Sequence, residues 1–142
     1  MVSSPGAYEF DVDHLTLAGT SNLHMVKVEI PGSSSFYTVE VRDLVGYDGN
    51  LPGFAVILHQ VVPGRQEPAW LVDLENPSNG ADAGAMWLPG ECFDDAGNEI
   101  MICVGSPTTE GFTVEVFVGT EYFILRDGFE SGTTGAWSSV VQ

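Results

Sequence analysis

Positive charge is what this 142-residue chain has least of: four lysines and arginines stand against twenty aspartates and glutamates, a net charge of −16. Nucleic-acid affinity comes from neutralising phosphates with Lys and Arg. Attraction to an anionic membrane surface needs the same groups. Neither partner is therefore expected. Histidine is also scarce, with only His14, His24 and His59. No two stand four apart around a Glu, so the His-Glu-x-x-His grip of a zinc peptidase is absent. A Gly-x-Ser-x-Gly nucleophile elbow is absent as well, and no catalytic residue is assigned. No apolar run is long enough to cross a bilayer as a helix. The segment from Met1 to Gly6 has neither the charged start nor the apolar core of a secretory signal. The chain thus reads as a piece of a larger precursor, monomeric and not itself an enzyme. Cys92 and Cys103 are the two cysteines and allow one disulfide.

What is present is β chemistry. Seventeen glycines and eight prolines punctuate short stretches rich in Val and Phe, as in an all-β domain with frequent turns. Phe36–Arg42 alternates, so Tyr37, Val39 and Val41 are expected in the core, with Thr38, Glu40 and Arg42 nearer water. Phe54–Val62 is almost continuously apolar, as in a central strand covered on both faces. His59 in that run is expected to be a packed residue. Further strands are expected at Tyr8–Asp13 (continuing into Leu15–Leu17), Leu23–Ile30, Ala69–Leu74, Glu91–Asp94, Glu99–Gly105, Gly111–Val118 and Glu121–Arg126. Together they predict an antiparallel two-sheet sandwich of about nine strands. It fills residues 7–126, after a linker at 1–6 and before a flexible tail at 127–142.

The segment Asp95-Ala-Gly-Asn98 is a hairpin turn. A turn centred near Gly97 and Asn98 pairs Phe93 with Ile102, and hence Cys92 with Cys103. A disulfide follows if the protein meets an oxidising compartment; the alternative is two buried thiols acting as small apolar residues.

Two ligand classes fit the remaining residues. Calcium takes six to eight oxygens, and the loop after Ala69–Leu74 offers Asp73, Glu75, Asn76, Asn79 and Asp82. Asp43, Asp48 and Asn50 in the elbow, and Asp94, Asp95 and Asn98 in the hairpin, are weaker sets. None follows EF-hand spacing, and Asx residues making turns explain each set as well. Carbohydrate is the second class, since exposed aromatics can act as stacking platforms. Trp70, Trp87, Tyr47 and Tyr122 are the candidates; Trp70, in an apolar strand, is expected in the core, which leaves Trp87, beside Pro89-Gly90, and Tyr47 as the stronger pair.

The order FYTVEVRDLVGYDGNLPGFAVILHQV, WLVD, WLPGECFDDAGNEIMICVGS, GFTVEVFV resembles the β-rich domain that follows the catalytic domain in secreted bacterial metallopeptidases of the immune inhibitor A type. There a strand leads into G-Y/W-D-x-x-L/I-P-x-x-G/A-V-L-I, and a later W-x-x-G-x-x-F opens the last hairpins. The likeness runs from His24 to Val118. It implies an accessory role beside an upstream catalytic domain of the same precursor, an extracellular location, and contact with a protein or glycan substrate. It also implies that Trp87 is a packed structural residue. The ending Asp127-Gly-Phe-Glu-Ser-Gly resembles tails carried by exported proteins of some Gram-negative bacteria.

Overall fold

The computed structural model describes residues 1–48, 53–73 and 83–121. Eight strands lie in this part: β1 Gly6–Asp13, β2 Met25–Glu29, β3 Phe36–Arg42, β4 Ala55–Val61, β5 Ala69–Leu71, β6 Cys92–Asp95, β7 Ile100–Pro107 and β8 Gly111–Val118. They form two antiparallel four-stranded sheets, in the orders β2-β3-β4-β5 and β1-β8-β7-β6. The fold is the expected all-β sandwich, with eight described strands rather than nine. The strand expected at Glu121–Arg126 lies, beyond Glu121, outside the described residues, as does the tail at 127–142.

The alternating strands divide as their pattern dictates, except that Glu40, expected nearer water, is buried, because Arg42 folds over it and pairs with its carboxylate. Val26 and Val28 of β2, Tyr37, Val39 and Val41 of β3, and Val114, Val116 and Val118 of β8 are all buried. They meet Val56 and Leu58 of β4 and Ile100, Ile102 and Val104 of β7 in one core. Ala55 to Leu58 of β4 are all buried, Val56 and Leu58 within that core and Ala55 and Ile57 on the opposite face of the sheet. Each fully buried Val or Leu removes apolar surface worth about 1.5–3 kcal/mol, so this shared core is the main source of stability in the sandwich.

Three expectations are corrected. Residues 1–6 are not a linker. Val2 is buried, donates its N–H to Lys27 O at 2.8 Å and accepts from Glu29 N at 2.9 Å, while Gly6 already belongs to β1. A lone Val carries no periodicity, so its parallel bridge to Val28 leaves no trace in the local pattern. Leu15–Leu17 does not continue β1: Leu17 N–H bonds back to His14 O at 3.1 Å and closes a turn. Trp70 is not in the core: it lies in a three-residue edge strand, β5, and is 50% exposed.

The Cys92–Cys103 disulfide is formed, in the register the hairpin implies: Phe93 faces Ile102 and the two cysteines are direct partners, with Cα atoms 4.1 Å apart. It ties the edge strand β6 to β7. Replacing both cysteines by serine is expected to cost about 2–3 kcal/mol, since the closed loop is short. Urea denaturation of the oxidised protein and the double variant measures this; equal midpoints would show that the bond adds nothing to the hairpin.

Candidate functional site

Among the described residues, the buried ionisable side chains that make hydrogen bonds or ion pairs fall in three places. The first is on the outer face of β3. Glu40 is only 8% exposed, and a buried carboxylate is costly unless paired and hydrogen-bonded. Arg42 stands two residues along and so projects from the same face. Its Nε and Nη2 donate to Glu40 Oε1 at 2.9 and 2.8 Å, and its Nη1 donates to both oxygens of Asp48 at 3.3 and 3.2 Å. The 3₁₀ turn Gly46–Asp48 delivers Asp48 to that position. Burial alone would lower the Arg42 pKa; the hydrogen bonds and charges of Glu40 and Asp48 outweigh it and raise the pKa. His59 of β4 stands with Nδ1 3.9 Å from Glu40 Oε1. Burial lowers the His59 pKa, Glu40 opposes that, and Arg42 reinforces it. The imidazole is thus neutral at neutral pH, and the cluster is a clamp around Glu40.

The second place joins the two sheets. Tyr37 of β3 donates its hydroxyl to Asp95 Oδ2 of β6 at 2.7 Å, and Gln60 Nε2 donates to the Tyr37 oxygen at 3.3 Å. Asp95 also accepts from Asn98 N at 3.2 Å and Asn98 Nδ2 at 2.7 Å, which caps the β6–β7 turn. Burial, then the Asp95 hydrogen bond and charge, push the Tyr37 pKa well above the ordinary phenol value, with Gln60 pulling slightly back. This hydroxyl stays protonated and acts as a donor.

The third is an open cleft of about 590 Å³ at one end of β1, lined among others by Asp11, Asp13, Thr20, Asn22, Thr108 and Glu110. Asp13 is 2% exposed. The Thr20 hydroxyl donates to its Oδ2, and Asn22 Nδ2 donates to its Oδ1 at 3.2 Å. Thr113 Oγ1 donates to Asp11 Oδ1 at 3.2 Å. Behind the cleft, the buried His14 has Nδ1 2.7 Å from Thr16 Oγ1 and Nε2 3.5 Å from a Glu110 carboxylate oxygen. The rim is acceptor-rich. Even so, among the described residues no three His, Cys, Asp or Glu side chains converge as metal ligands.

The expected ligand residues fare differently. Asp73 lies two residues past β5, while Glu75, Asn76, Asn79 and Asp82 lie outside the described residues. In the elbow, Asp48 is held by Arg42, and Asp43 accepts from Leu44 N at 2.7 Å; Asn50 is outside the described part. In the hairpin, Asp95 and Asn98 make the turn described above. Trp87 does not offer a stacking face: it is 2% exposed. Its backbone bridges to Val56 through bonds of 2.9 and 3.0 Å, its Nε1–H donates to Val72 O at 3.1 Å, and its ring meets the edge of Phe93 with centroids 6.0 Å apart. The Tyr47 backbone belongs to the 3₁₀ turn, and its side chain lies outside the described part. Tyr122 lies outside the described part. Of the two described tryptophans, Trp70 is the exposed one. Pro63 and Pro68 on either side of the preceding turn were the available signal, because proline is confined to the edges of sheets. No protein-family model, no curated protein and no solved structure matches this chain.

Proposed function

We propose that this sandwich is a non-catalytic accessory domain of a secreted bacterial protein, and that the protein is a metallopeptidase whose catalytic domain lies upstream in the same precursor. The role is to stabilise that domain or to present it to its substrate. One observation carries the reading: among the described residues, the side chains of Asp13, Tyr37 and Glu40, all buried, are committed to structural partners. Arg42 clamps Glu40 and Asp48, Asp95 links Tyr37 to the Asn98 turn, and Asp13 holds Thr20 and Asn22. Each of these groups is placed where its partners satisfy a buried charge or hydroxyl, which builds rigidity. The disulfide supports export, since such bonds persist in oxidising compartments. The purified chain is expected to hydrolyse neither casein, nor aryl esters, nor aryl glycosides. Turnover that survives chelation and repurification would overturn the reading.

Calcium at the loop carrying Asp73, Glu75, Asn76, Asn79 and Asp82 is part of the same proposal. An ion bound only by the folded state stabilises it by mass action, by about 2.7 kcal/mol at a hundredfold excess over the dissociation constant. For a chain of this size that is a rise in melting temperature of about 5–10 °C. Equal melting temperatures in excess chelator and in millimolar calcium would remove calcium from the proposal and leave the accessory role standing.

A further inference from the structure

The turn between β4 and β5 holds an unusual pair. Arg65 lies in it, its N–H bonded to Val62 O at 3.3 Å, and its guanidinium carbon sits 4.4 Å from the centroid of the Trp70 ring. Lys27 is paired with Glu29, and Arg42 with Glu40 and Asp48. Among the described residues, Arg65 alone of the cationic side chains has no carboxylate partner, in a chain of net charge −16. Its Nη1 is buried and makes no hydrogen bond, and the guanidinium covers the ring within cation–π distance. Trp70 is nevertheless 50% exposed.

We propose that Trp70, backed by Arg65, is a stacking platform for a neutral pyranose unit of a polysaccharide. An exposed indole suits the C–H face of a sugar ring, since aromatic side chains combine a large apolar surface with directional attraction. The guanidinium edge and the exposed Gln66 and Glu67 beside it supply groups for hydroxyl hydrogen bonds. The stacked arginine fixes the indole before binding, so little side-chain freedom is lost on contact. A protein partner would call for a contiguous apolar patch, whereas here one ring stands among exposed Gln66, Glu67 and Pro68. The net charge of −16 repels polyanions, which selects neutral sugars over polyuronates. This site goes beyond the accessory role and stands or falls separately from it.

The test is affinity electrophoresis of the intact chain in native gels cast with β-glucan, xylan, galactomannan, glycol chitin or polygalacturonate. Retardation by at least one of the neutral polysaccharides is expected, with none by polygalacturonate. Trp70→Ala is expected to weaken that retardation about tenfold and Arg65→Ala about threefold, from the size of aromatic and cation–π contacts. Trp70→Tyr, which keeps a ring, retains most of the binding; it also separates loss of the platform from loss of fold, as does an unchanged melting temperature for Trp70→Ala. Migration unaffected by every neutral polysaccharide would overturn the proposal. So would retardation only by polygalacturonate, or retardation of Trp70→Ala equal to that of the parent chain.

Discussion

Gly111→Ala is expected to destabilise this protein more than any other single methyl group would. Gly111 opens β8 opposite Asp13 of β1. A Cβ built there would lie 1.8 Å from Val12 O and 2.9 Å from Asp13 Cα. Both are backbone atoms of the neighbouring strand, so no side-chain rotation can relieve the clash. The end of β1 would have to move away from β8. That end also carries the His14 N–H bond to Glu110 O at 2.9 Å and the fully buried Val12. The expected loss is at least about 4 kcal/mol, in the range reserved for specific structural failures and a large share of a typical total of about 5–15 kcal/mol. Gly105→Ala is the comparison, because its Cβ would meet Thr113 O at 3.2 Å, a contact that small shifts absorb. Urea midpoints of the two variants check this. A Gly111→Ala midpoint equal to that of Gly105→Ala would refute the close approach of β1 to β8.

Trp87→Ala carries the second-largest expected effect. The indole lies in the core cluster, against Phe93 and under the end of β5. Truncating a buried Trp to Ala typically costs about 3–5 kcal/mol through lost burial and the cavity left behind. The carbonyl of Val72 would also lose its indole donor. Thermal unfolding should fall by about 10 °C, taking about 2–4 °C per kcal/mol for a chain of this length. Trp87→Phe should lose less, since it restores most of the apolar volume. Trp70→Ala should stay within about 0.5 kcal/mol, as exposed surface changes usually do. If Trp70→Ala proved the more damaging of the two alanine variants, the assignment of Trp87 to the interior and Trp70 to the edge would be wrong.

Those two tryptophans mark where the sequence was legible and where it was not. Alternation in Phe36–Arg42 and Gly111–Val118 assigns every buried Val of β3 and β8 to its face, because a strand of seven or eight residues samples the period several times. The Asp95-Ala-Gly-Asn98 turn sets the Cys92–Cys103 register by counting. β5 has three residues, too few to show a period, so the neighbouring apolar residues made Trp70 look interior. Trp87 sits beside Pro89 and Gly90 in what reads as a surface loop, yet one isolated bridge to Val56 draws it inside. The polar clusters divide the same way. Glu40 and Arg42 are visibly on one face at a spacing of two, but Tyr37 and Asp95 are 58 residues apart and meet only because the two sheets stack. The cleft by Asp13 likewise depends on the turn that follows β1 folding back, which alternation alone does not predict.

The pairing of Gly6 with Val118 has a mechanical consequence. β1 and β8 run antiparallel as direct neighbours from Gly6↔Val118 to Asp13↔Gly111, so the start of one strand and the end of the other emerge at the same corner of the sandwich. Tension applied between those two points does not load the ladder in parallel. It falls on the Gly6–Val118 rung first, then on each rung in turn, because the hydrogen bonds of an antiparallel pair lie perpendicular to the strands. Such a ladder peels at low force, whereas one pulled lengthwise must break many bonds at once. Under tension between those points, β1 is therefore the strand that opens like a zip, and the rung at Gly6 is its slider.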